Sequence, residues 1–362
     1  MLCNKIVIIG AGLMGASLYE AVRKKLVAQQ VVLMAKNTAQ IKILQQSGIT
    51  NCSMDYEHTK NANLIIIATP LHAYEEVFNK LLAVPVSKEN IIIDIGSVKE
   101  PVTEMVTKKF NNLTFIATHP ITGSQKSGVG SLVQDLYEGS KVIITSEKTA
   151  KGVDFVAEFW RQIGMNIAFL DAKAHDNLYA HISHLVQKIA FNIKEVLAGQ
   201  DIDISVLAKE LNNKEFYQFT RLTASDSKLW EDIFNNNVKF LSSATNSFLR
   251  EVQSHAVLVQ NNQFVKIYEK IQNSKIRVGE TVALSNDFDI PEQYFLYYMF
   301  GAIIASSLIY TIKDQMFFDY AGPGFKDIIA IKNTIRQQDI LKFTKINYNL
   351  TIMLREFCSN FK

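Results

Sequence analysis

The chain has 362 residues, of which 48% are hydrophobic and 20% charged, with six prolines; these totals indicate two globular domains and argue against disorder. The formal net charge of +3 is small and the lysines and arginines are scattered, which argues against a nucleic-acid-binding surface. The three cysteines, Cys3, Cys52 and Cys358, show no paired spacing, so neither a disulfide framework nor a zinc site is predicted, and a reducing, cytoplasmic location is expected.

The N-terminal segment predicts a strand, a glycine-rich turn and a helix. The apolar run 6–9 is too short for the hydrophobic region of an export signal and is better interpreted as a first strand. In the turn that follows, Gly10 permits the sharp bend, Gly12 lets the backbone approach a pyrophosphate, and Gly15 lets the helix pack on the strand. The predicted dinucleotide-binding residues of this segment are Gly10, Gly12, Leu13, Met14 and Gly15.

The end of the second predicted strand bears on the choice of cofactor. After residues 31–34 the chain has Ala35 and Lys36, where enzymes that use NAD place a carboxylate for the ribose 2′-hydroxyl. A cation suits a 2′-phosphate, so NADP is slightly favoured over NAD; the alternative is that Lys36 is only solvated. A further apolar strand, 62–68, ends at Thr69 and Pro70, which should lie at the same cofactor-binding edge.

Two polar residues follow later strands of the series. Ser97 comes after the strand 90–94 and could hydrogen-bond a substrate hydroxyl, or cap the helix that follows. His119 comes after the apolar run 113–117 and should emerge where that strand ends, so a neutral imidazole could accept a proton from a substrate hydroxyl as hydride leaves the same carbon. The alternative is a histidine that caps a turn before Pro120. Strands at 141–145 and 165–170 are expected to extend the same sheet.

Helical periodicity replaces strand patterns from His175 onward, which marks a domain boundary. We therefore predict a dinucleotide-binding domain at 1–172, a helical substrate and dimerisation domain at 173–287, and a helical C-terminal segment at 288–362. His175, His181 and His184 suggest a metal site, but their spacing puts at most two on one helix face, so no metal is predicted. Ser183 and Gln187, four residues apart, should share a face.

Two further features lie in the helical part. Arg221 carries a guanidinium that could bind a substrate carboxylate, or could instead form an ion pair with Asp226. The uncharged segment 293–312 is just long enough to span a bilayer, but its serines and tyrosines favour a buried core helix.

Five ordered motifs resemble the prephenate/arogenate dehydrogenase (TyrA) family: GAGLMG at 10–15, DIGSVK at 94–99, HPITGSQKSG at 119–128, HDNLYAHISHL at 175–185 and FTRLTASDSKLW at 219–230. The resemblance implies a Rossmann-type α/β domain followed by an all-α domain, an arrangement like that of 6-phosphogluconate dehydrogenase. It implies that His119 is the catalytic base, that Ser97 contacts the substrate hydroxyl and that Arg221 binds a substrate carboxylate. The other substrate-binding residues expected are Gln125, Ser183, Gln187 and Trp230.

Three positions depart from the family pattern. Many members have Glu, His and Asp where this chain has Gln125, Gln187 and Gln218, and an amide cannot titrate. A neutral Gln187 offers no counter-ion to an amino group, which favours prephenate over arogenate. The expected reaction is the oxidative decarboxylation of prephenate to 4-hydroxyphenylpyruvate in tyrosine biosynthesis. The alternatives are arogenate or another small hydroxy acid as substrate, and a dinucleotide-binding protein that has lost catalysis.

The C-terminal segment contains a weak internal repeat. Residues 321–331 resemble the family segment that includes Arg221, and Ala330 stands at the position that corresponds to this arginine. When the apolar segment 292–312 is shifted back along the sequence by the separation between Arg221 and Ala330, it aligns with residues 183–203. If residues 288–362 are a degenerate second copy of the helical domain, the chain is a monomeric pseudo-dimer; otherwise a homodimer is expected from the resemblance.

Overall fold

The computed structural model describes residues 1–86, 89–123, 128–129, 131–200, 202–203, 206–207, 221–277, 295–312, 315–321, 323–330 and 343–361. Gln125, Gln218 and residues 288–294 lie outside these ranges. The chain forms two compact units: unit 1 comprises Met1–Asp176 and Asp226–Asn237, and unit 2 comprises Asn177–Ser225 and Val238–Lys362.

Unit 1 is built on a six-stranded parallel sheet. Its strands are β1 (Cys3–Ile9), β2 (Ala28–Met34), β3 (Cys52–Ser53), β4 (Leu64–Ile67), β5 (Ile91–Asp94) and β6 (Thr114–Ile116), in the order β3-β2-β1-β4-β5-β6. The strand order reverses between β1 and β4, and in such sheets the crevice beyond the carboxyl ends at this point is where dinucleotides bind. The expected Rossmann-type α/β fold is thus confirmed.

Helices cover both faces of this sheet: α1 (Leu13–Lys24), α2 (Thr38–Gln46), α3 (Tyr74–Ala83), α4 (Glu100–Lys109) and α5 (Val153–Ile163). Unit 1 also contains the start of α6 (Ala172–Tyr179), which continues into unit 2, and α8 (Ser227–Asn236). Side chains of β1 alternate between two cores: Ile6 and Ile8 pack with α1 and α5, while Val7 and Ile9 pack with α3 and α4. Burial on both faces explains why these strands are almost continuously apolar.

The strands near residues 141 and 166 do not extend the parallel sheet as predicted. They form a second sheet, β7 (Thr118–Ile121), β8 (Lys141–Ile144) and β9 (Asn166–Phe169), in which β7 runs antiparallel to β8. The chain leaves the first sheet after Ile116 because the Thr118 backbone N–H donates to the Asp94 carboxylate (3.1 Å) instead of continuing the β6 ladder. His119 therefore lies within an edge strand opposite Ile143, and not in a loop after a strand. An edge strand also tolerates Pro120, which has no N–H to donate.

Unit 2 is helical in its described residues. Its helices are α7 (Leu185–Ala198), α9 (Val238–Gln260), α10 (Phe264–Arg277), α11 (Phe295–Thr311), α12 (Pro323–Ala330) and α13 (Phe343–Asn360). Helix α11 is the uncharged segment, and its described residues from Met299 to Ile309 are fully or almost fully buried. The expected core helix is confirmed. Within the described ranges, no helix has both the length and the apolar character needed to cross a membrane.

A buried histidine makes the stability of unit 2 dependent on pH. His255 of α9 is inaccessible to solvent, and its Nδ1 lies 2.9 Å from the Glu251 carbonyl oxygen and 3.1 Å from Ser307 Oγ of α11. Burial, with a smaller contribution from the charge of Lys270, lowers the pKa of His255 from 6.5 to about 4. Between these values the unfolded chain binds a proton that the folded chain excludes, so stability falls as the pH drops from 6.5 toward 4.

We expect this histidine alone to remove about 3 kcal/mol of the free energy of unfolding across that interval, at about 1.4 kcal/mol per pKa unit. Urea denaturation of the wild type and of His255→Asn at pH 7, 6, 5 and 4 checks this. The variant, which has no imidazole at this position, should show the shallower slope below pH 6.5. Parallel slopes would contradict the assignment.

Candidate active site

The glycine turn after β1 requires two of its three glycines for steric reasons. Gly10 has a positive φ of +121°, and a Cβ there would lie 2.4 Å from the Ala68 carbonyl oxygen. A Cβ on Gly15 would lie 1.9 Å from the Gly10 carbonyl oxygen. Gly12 differs, because a Cβ there meets open space. It precedes the first turn of α1, and no side chain in the described part of the molecule caps that turn.

The same edge of the sheet fits a dinucleotide. The helix α1 presents backbone N–H groups beside the open space at Gly12, which is the chemistry that binds a pyrophosphate. At the end of β4, the buried Thr69 Oγ1 has no hydrogen-bond partner among the described residues, and such a group is satisfied by a ligand or water. Pro70 and Lys36 are exposed, and Lys36 follows β2 at its carboxyl end.

A fully buried ion pair connects β5 to the start of β7. Lys99 Nζ contacts Asp94 Oδ2, and both side chains are inaccessible to solvent. The Lys99 ammonium also donates to the Thr118 carbonyl oxygen at 2.8 Å. Asp94 Oδ2 accepts further hydrogen bonds from the Tyr74 hydroxyl (3.0 Å) and the Gly96 N–H (3.1 Å). Burial lowers the pKa of Lys99, whereas the charge of the Asp94 carboxylate acts in the opposite direction and raises it. The pair fixes the backbone immediately before His119.

His119 is hydrogen-bonded into a buried chain of three side chains. Its Nδ1 lies 2.8 Å from His175 Nε2, and His175 Nδ1 lies 2.7 Å from Asp176 Oδ1. Burial lowers the pKa of His175, so this imidazole is neutral, while the carboxylate can only accept. His175 therefore donates through Nδ1 and accepts at Nε2 from His119 Nδ1–H. This assignment leaves His119 Nε2 as the basic nitrogen.

The Asp176 carboxylate also caps helix α4. It accepts from the backbone N–H groups of Lys99 (2.8 Å) and Glu100 (2.7 Å), the latter being the first residue of the helix. The alternative in which Ser97 caps this helix is therefore wrong. Ser97 lies half-buried in the turn between β5 and α4, at the carboxyl edge of the sheet.

Unit 2 brings Gln187 against the turn that begins at Arg221. Gln187 is buried, and its Nε2 donates to the Leu222 carbonyl oxygen at 2.7 Å. Its Oε1 accepts from Ser225 Oγ at 3.4 Å. Arg221 itself is exposed at the start of a 3₁₀ turn, Arg221–Ala224. Gln187 is thus hydrogen-bonded to both Leu222 and Ser225 in the short segment that follows Arg221.

Three expectations for this part of the chain need correction or comment. A π-helical turn, Ala180–His184, interrupts the expected α-helix and includes Ser183, and the shared face of Ser183 and Gln187 stays a prediction. Asp226 caps α8 through the N–H groups of Lys228 and Leu229, and the ion pair between Asp226 and Arg221 stays an alternative prediction. Trp230 lies half-buried on α8, in unit 1.

The described residues contain no group of three or more His, Cys, Asp or Glu side chains able to hold a metal ion. His175, the first residue of the discounted metal cluster, instead contacts His119 and Asp176.

The buried members of this site were not predicted from the sequence. Asp94, Lys99 and Asp176 belong to motifs of the family, but the motifs alone do not predict a role for these three side chains. A signal was available in each case: a carboxylate and a lysine five residues apart at the end of an apolar strand, and a carboxylate directly after His175 at the domain boundary.

Two family models match successive parts of the chain. The model described as "Prephenate dehydrogenase, nucleotide-binding domain" matches residues 18–169, and "Prephenate dehydrogenase, dimerization domain" matches residues 171–273. Together they account for most of the chain and end well before its C-terminus.

Individual relatives agree with these models. A cyclohexadienyl dehydrogenase of Zymomonas mobilis is 25% identical over 289 residues, which cover 79% of this chain and 97% of that protein. A prephenate dehydrogenase of Lactococcus lactis is 25% identical over 299 residues, 79% of this chain and 81% of that protein. A crystal structure of prephenate dehydrogenase from A. aeolicus with hydroxyphenyl propionate and NAD+ superposes with a TM-score of 0.66 at 25% identity, covering 75% of this chain and 96% of that one.

Proposed function

The chain belongs to the prephenate dehydrogenase family, and on that premise we propose that it catalyses the NAD(P)-dependent oxidative decarboxylation of prephenate to 4-hydroxyphenylpyruvate, a step of tyrosine biosynthesis. The observation that carries the proposal is the hydrogen-bonded chain His119–His175–Asp176, which gives His119 Nε2 the lone pair that a general base needs. Ser97, at the carboxyl edge of the six-stranded sheet, is the proposed partner of the substrate hydroxyl.

In the proposed mechanism, His119 Nε2 accepts the proton of the ring hydroxyl, and its Nδ1–H remains bonded to His175 Nε2. The bound nicotinamide supplies the acceptor for the hydride that leaves the same carbon. The ring carboxylate departs as carbon dioxide and its bonding electrons complete the aromatic ring as a phenolate, so no separate decarboxylating group is needed. The protonated His119 returns its proton to this phenolate oxygen, which gives 4-hydroxyphenylpyruvate and the neutral imidazole. His175 and Asp176 are positioning residues, because they act through His119 and fix its tautomer. The positive charge that develops on His119 is adjacent to a neutral, hydrogen-bonded imidazole.

Substrate binding is assigned to five further residues. We propose that the Arg221 guanidinium binds a carboxylate of prephenate, and that Gln187 acts by holding the 222–225 turn beside it. Because Gln187 carries no charge and both ends of its amide are engaged, it provides no counter-ion for an amino group, which supports prephenate over arogenate. Gln125, Ser183 and Trp230 complete the set as the other proposed substrate contacts.

The cofactor would be held by Gly10, Gly12, Gly15 and the N-terminus of α1, with Leu13, Met14, Thr69 and Pro70 around it. We propose NADP as the preferred dinucleotide, because Lys36 is exposed at the end of β2 where no carboxylate follows. Prephenate and the dinucleotide are the only partners proposed for this site. We place the reaction in the cytoplasm, since all three cysteines are free thiols.

Replacing Lys36 tests the cofactor preference. Lys36→Ala should raise the Kd for NADP about tenfold, the value of one solvent-exposed, charge-assisted contact, and leave the Kd for NAD nearly unchanged. The matched control is Lys42→Ala, which removes an exposed lysine from α2. Fluorescence titration of both dinucleotides measures the constants. Equal changes for NADP and NAD would contradict a contact with the 2′-phosphate.

The assay that tests the reaction itself compares prephenate with arogenate, each with NADP and with NAD. Faster turnover of prephenate supports the proposal, whereas faster turnover of arogenate would show that arogenate is the preferred substrate. Cofactor binding without turnover of either compound would indicate a dinucleotide-binding protein that has lost catalysis.

A further inference from the structure

The C-terminal helices of unit 2 repeat the order of the earlier ones at a constant offset, which is the sequence separation between Arg221 and Ala330. Shifting α11 back by this offset places it over residues 186–202, where α7 lies at 185–198. The same shift places α13 over residues 234–251, where α9 begins at residue 238. The two pairs of helices therefore agree in order and approximate spacing, although the sequence match between them is weak.

These helices pack crosswise. Helix α11 packs against α9, α13 packs against α7, and α9 packs against α13. If α7 and α9 form one copy and α11 and α13 form the other, each contact between copies has its counterpart on the other side. A twofold, isologous interface produces such matching contacts. Here the contact of α9 with α11 has its counterpart in the contact of α13 with α7.

Two corresponding side chains meet in the middle of this arrangement. Phe248 of α9 and Phe357 of α13 are separated by the same offset, both are fully buried, and their ring centroids lie 6.0 Å apart. A residue that lies on a twofold axis contacts the corresponding residue of the other copy. Phe248 and Phe357 correspond to each other by the offset, so their contact is the one expected at the axis. Leu241 and Leu350, which the same offset relates, are both buried.

Helices α11 and α13 lie outside the part of the chain that the family models match. The models end at residue 273, and the second is described as a dimerization domain. The Zymomonas mobilis protein is covered almost to its full length by 79% of this chain. Helices α11 and α13 therefore belong to a part of this chain that the family models do not reach. Helix α11 is apolar on every side, and its residues from Met299 to Ile309 are buried within its own chain.

We propose that helices α11 and α13 belong to a second copy of the helical dimerisation unit, which covers in cis the surface that a partner subunit would otherwise occupy. The chain is then a monomeric pseudo-dimer with one nucleotide-binding unit. It also has one substrate site, because the second copy has Ala330 where the first has Arg221. This inference does not rest on the proposed reaction, and its tests do not measure activity.

The first test is the mass in solution. Light scattering of the full chain, over a hundredfold range of protein concentration in the micromolar region, should give the mass of one chain, 40.9 kDa, throughout. A mass of about twice that value, or one that rises with concentration, would overturn the proposal. The thermal midpoint should likewise not change with protein concentration, whereas the midpoint of an obligate dimer rises with it.

The second test is the pairing at the axis. Phe248→Ala and Phe357→Ala should each lower the thermal midpoint by about 10 °C without changing the mass, and the double variant should lower it by less than the sum because the two rings touch. The matched control is Tyr348→Ala, which removes an exposed ring from the same helix as Phe357 and should change neither quantity. Additive shifts for the two phenylalanines would contradict the pairing.

Discussion

His119→Asn is expected to lower the turnover of prephenate by about 10²–10⁴-fold, the range that one positioned proton-transfer group contributes. Asparagine can keep a hydrogen bond to His175, but its amide cannot accept the proton of the ring hydroxyl. The Kd of the dinucleotide should stay within about twofold of the wild-type value, because the variant leaves unchanged the glycine turn, Gly10–Gly15, that is proposed to hold the phosphates. Steady-state kinetics and fluorescence titration measure the two quantities.

The matched control for this variant is His58→Asn. His58 lies in a 3₁₀ turn, Tyr56–Thr59, which leads to the amino end of β4, away from the carboxyl edge of the sheet. Its replacement should leave both turnover and cofactor affinity near those of the wild type. Wild-type turnover in His119→Asn would remove the general base from the mechanism, and with it the role of His175 and Asp176.

Lys99→Met is expected to destabilise unit 1 by about 3–5 kcal/mol, the cost of leaving one partner of a buried ion pair uncompensated. The Asp94 carboxylate would keep the Tyr74 hydroxyl and two backbone N–H groups as donors, but it would lose the one cation among the described side chains that contact it. The Thr118 carbonyl oxygen would also lose the ammonium donor, so the start of β7 should loosen. Urea denaturation followed by far-UV circular dichroism measures the loss.

Lys108→Met is the matched control, since Lys108 forms an exposed ion pair with Glu104 on the surface of α4. Exposed pairs contribute about 0–1 kcal/mol, so this variant should unfold close to the wild type. If the two methionine variants lost the same small amount of unfolding free energy, the buried Asp94–Lys99 pair would contribute no more to unit 1 than an exposed pair does.

Much of the architecture could be predicted because its signal is local. Unbroken apolar runs such as 6–9 and 64–67 are typical of strands buried on both faces, and each is followed by the turn residues that mark the carboxyl edge. The helix α11 could be predicted in the same way, from an uncharged run with interspersed serines. These features depend only on which residues are adjacent in the chain.

The parts that could not be predicted depend on contacts between distant residues. The chain leaves the parallel sheet before His119 because Thr118 bonds Asp94, which belongs to the preceding strand, and no local pattern at 113–121 records that contact. Lys99 illustrates the same limit, since a lysine is expected at the surface until a buried carboxylate is found beside it. The pairing of Asp176 with the start of α4 joins two ends of unit 1 that are far apart in sequence. Geometry of this kind sets the tautomer of His119; the residues that take part can be picked out in the sequence, but the contacts between them cannot be predicted from a local pattern.

The most direct test of the central claim, that His119 removes a proton from prephenate while hydride passes to a nicotinamide, is a single assay. Prephenate is mixed with the protein and NADP or NAD, and absorbance is followed at about 340 nm while carbon dioxide and 4-hydroxyphenylpyruvate are quantified. The account predicts one reduced nicotinamide and one carbon dioxide for each 4-hydroxyphenylpyruvate formed, with the rate lost in His119→Asn. No reduction with either dinucleotide, or reduction without release of carbon dioxide, would contradict it.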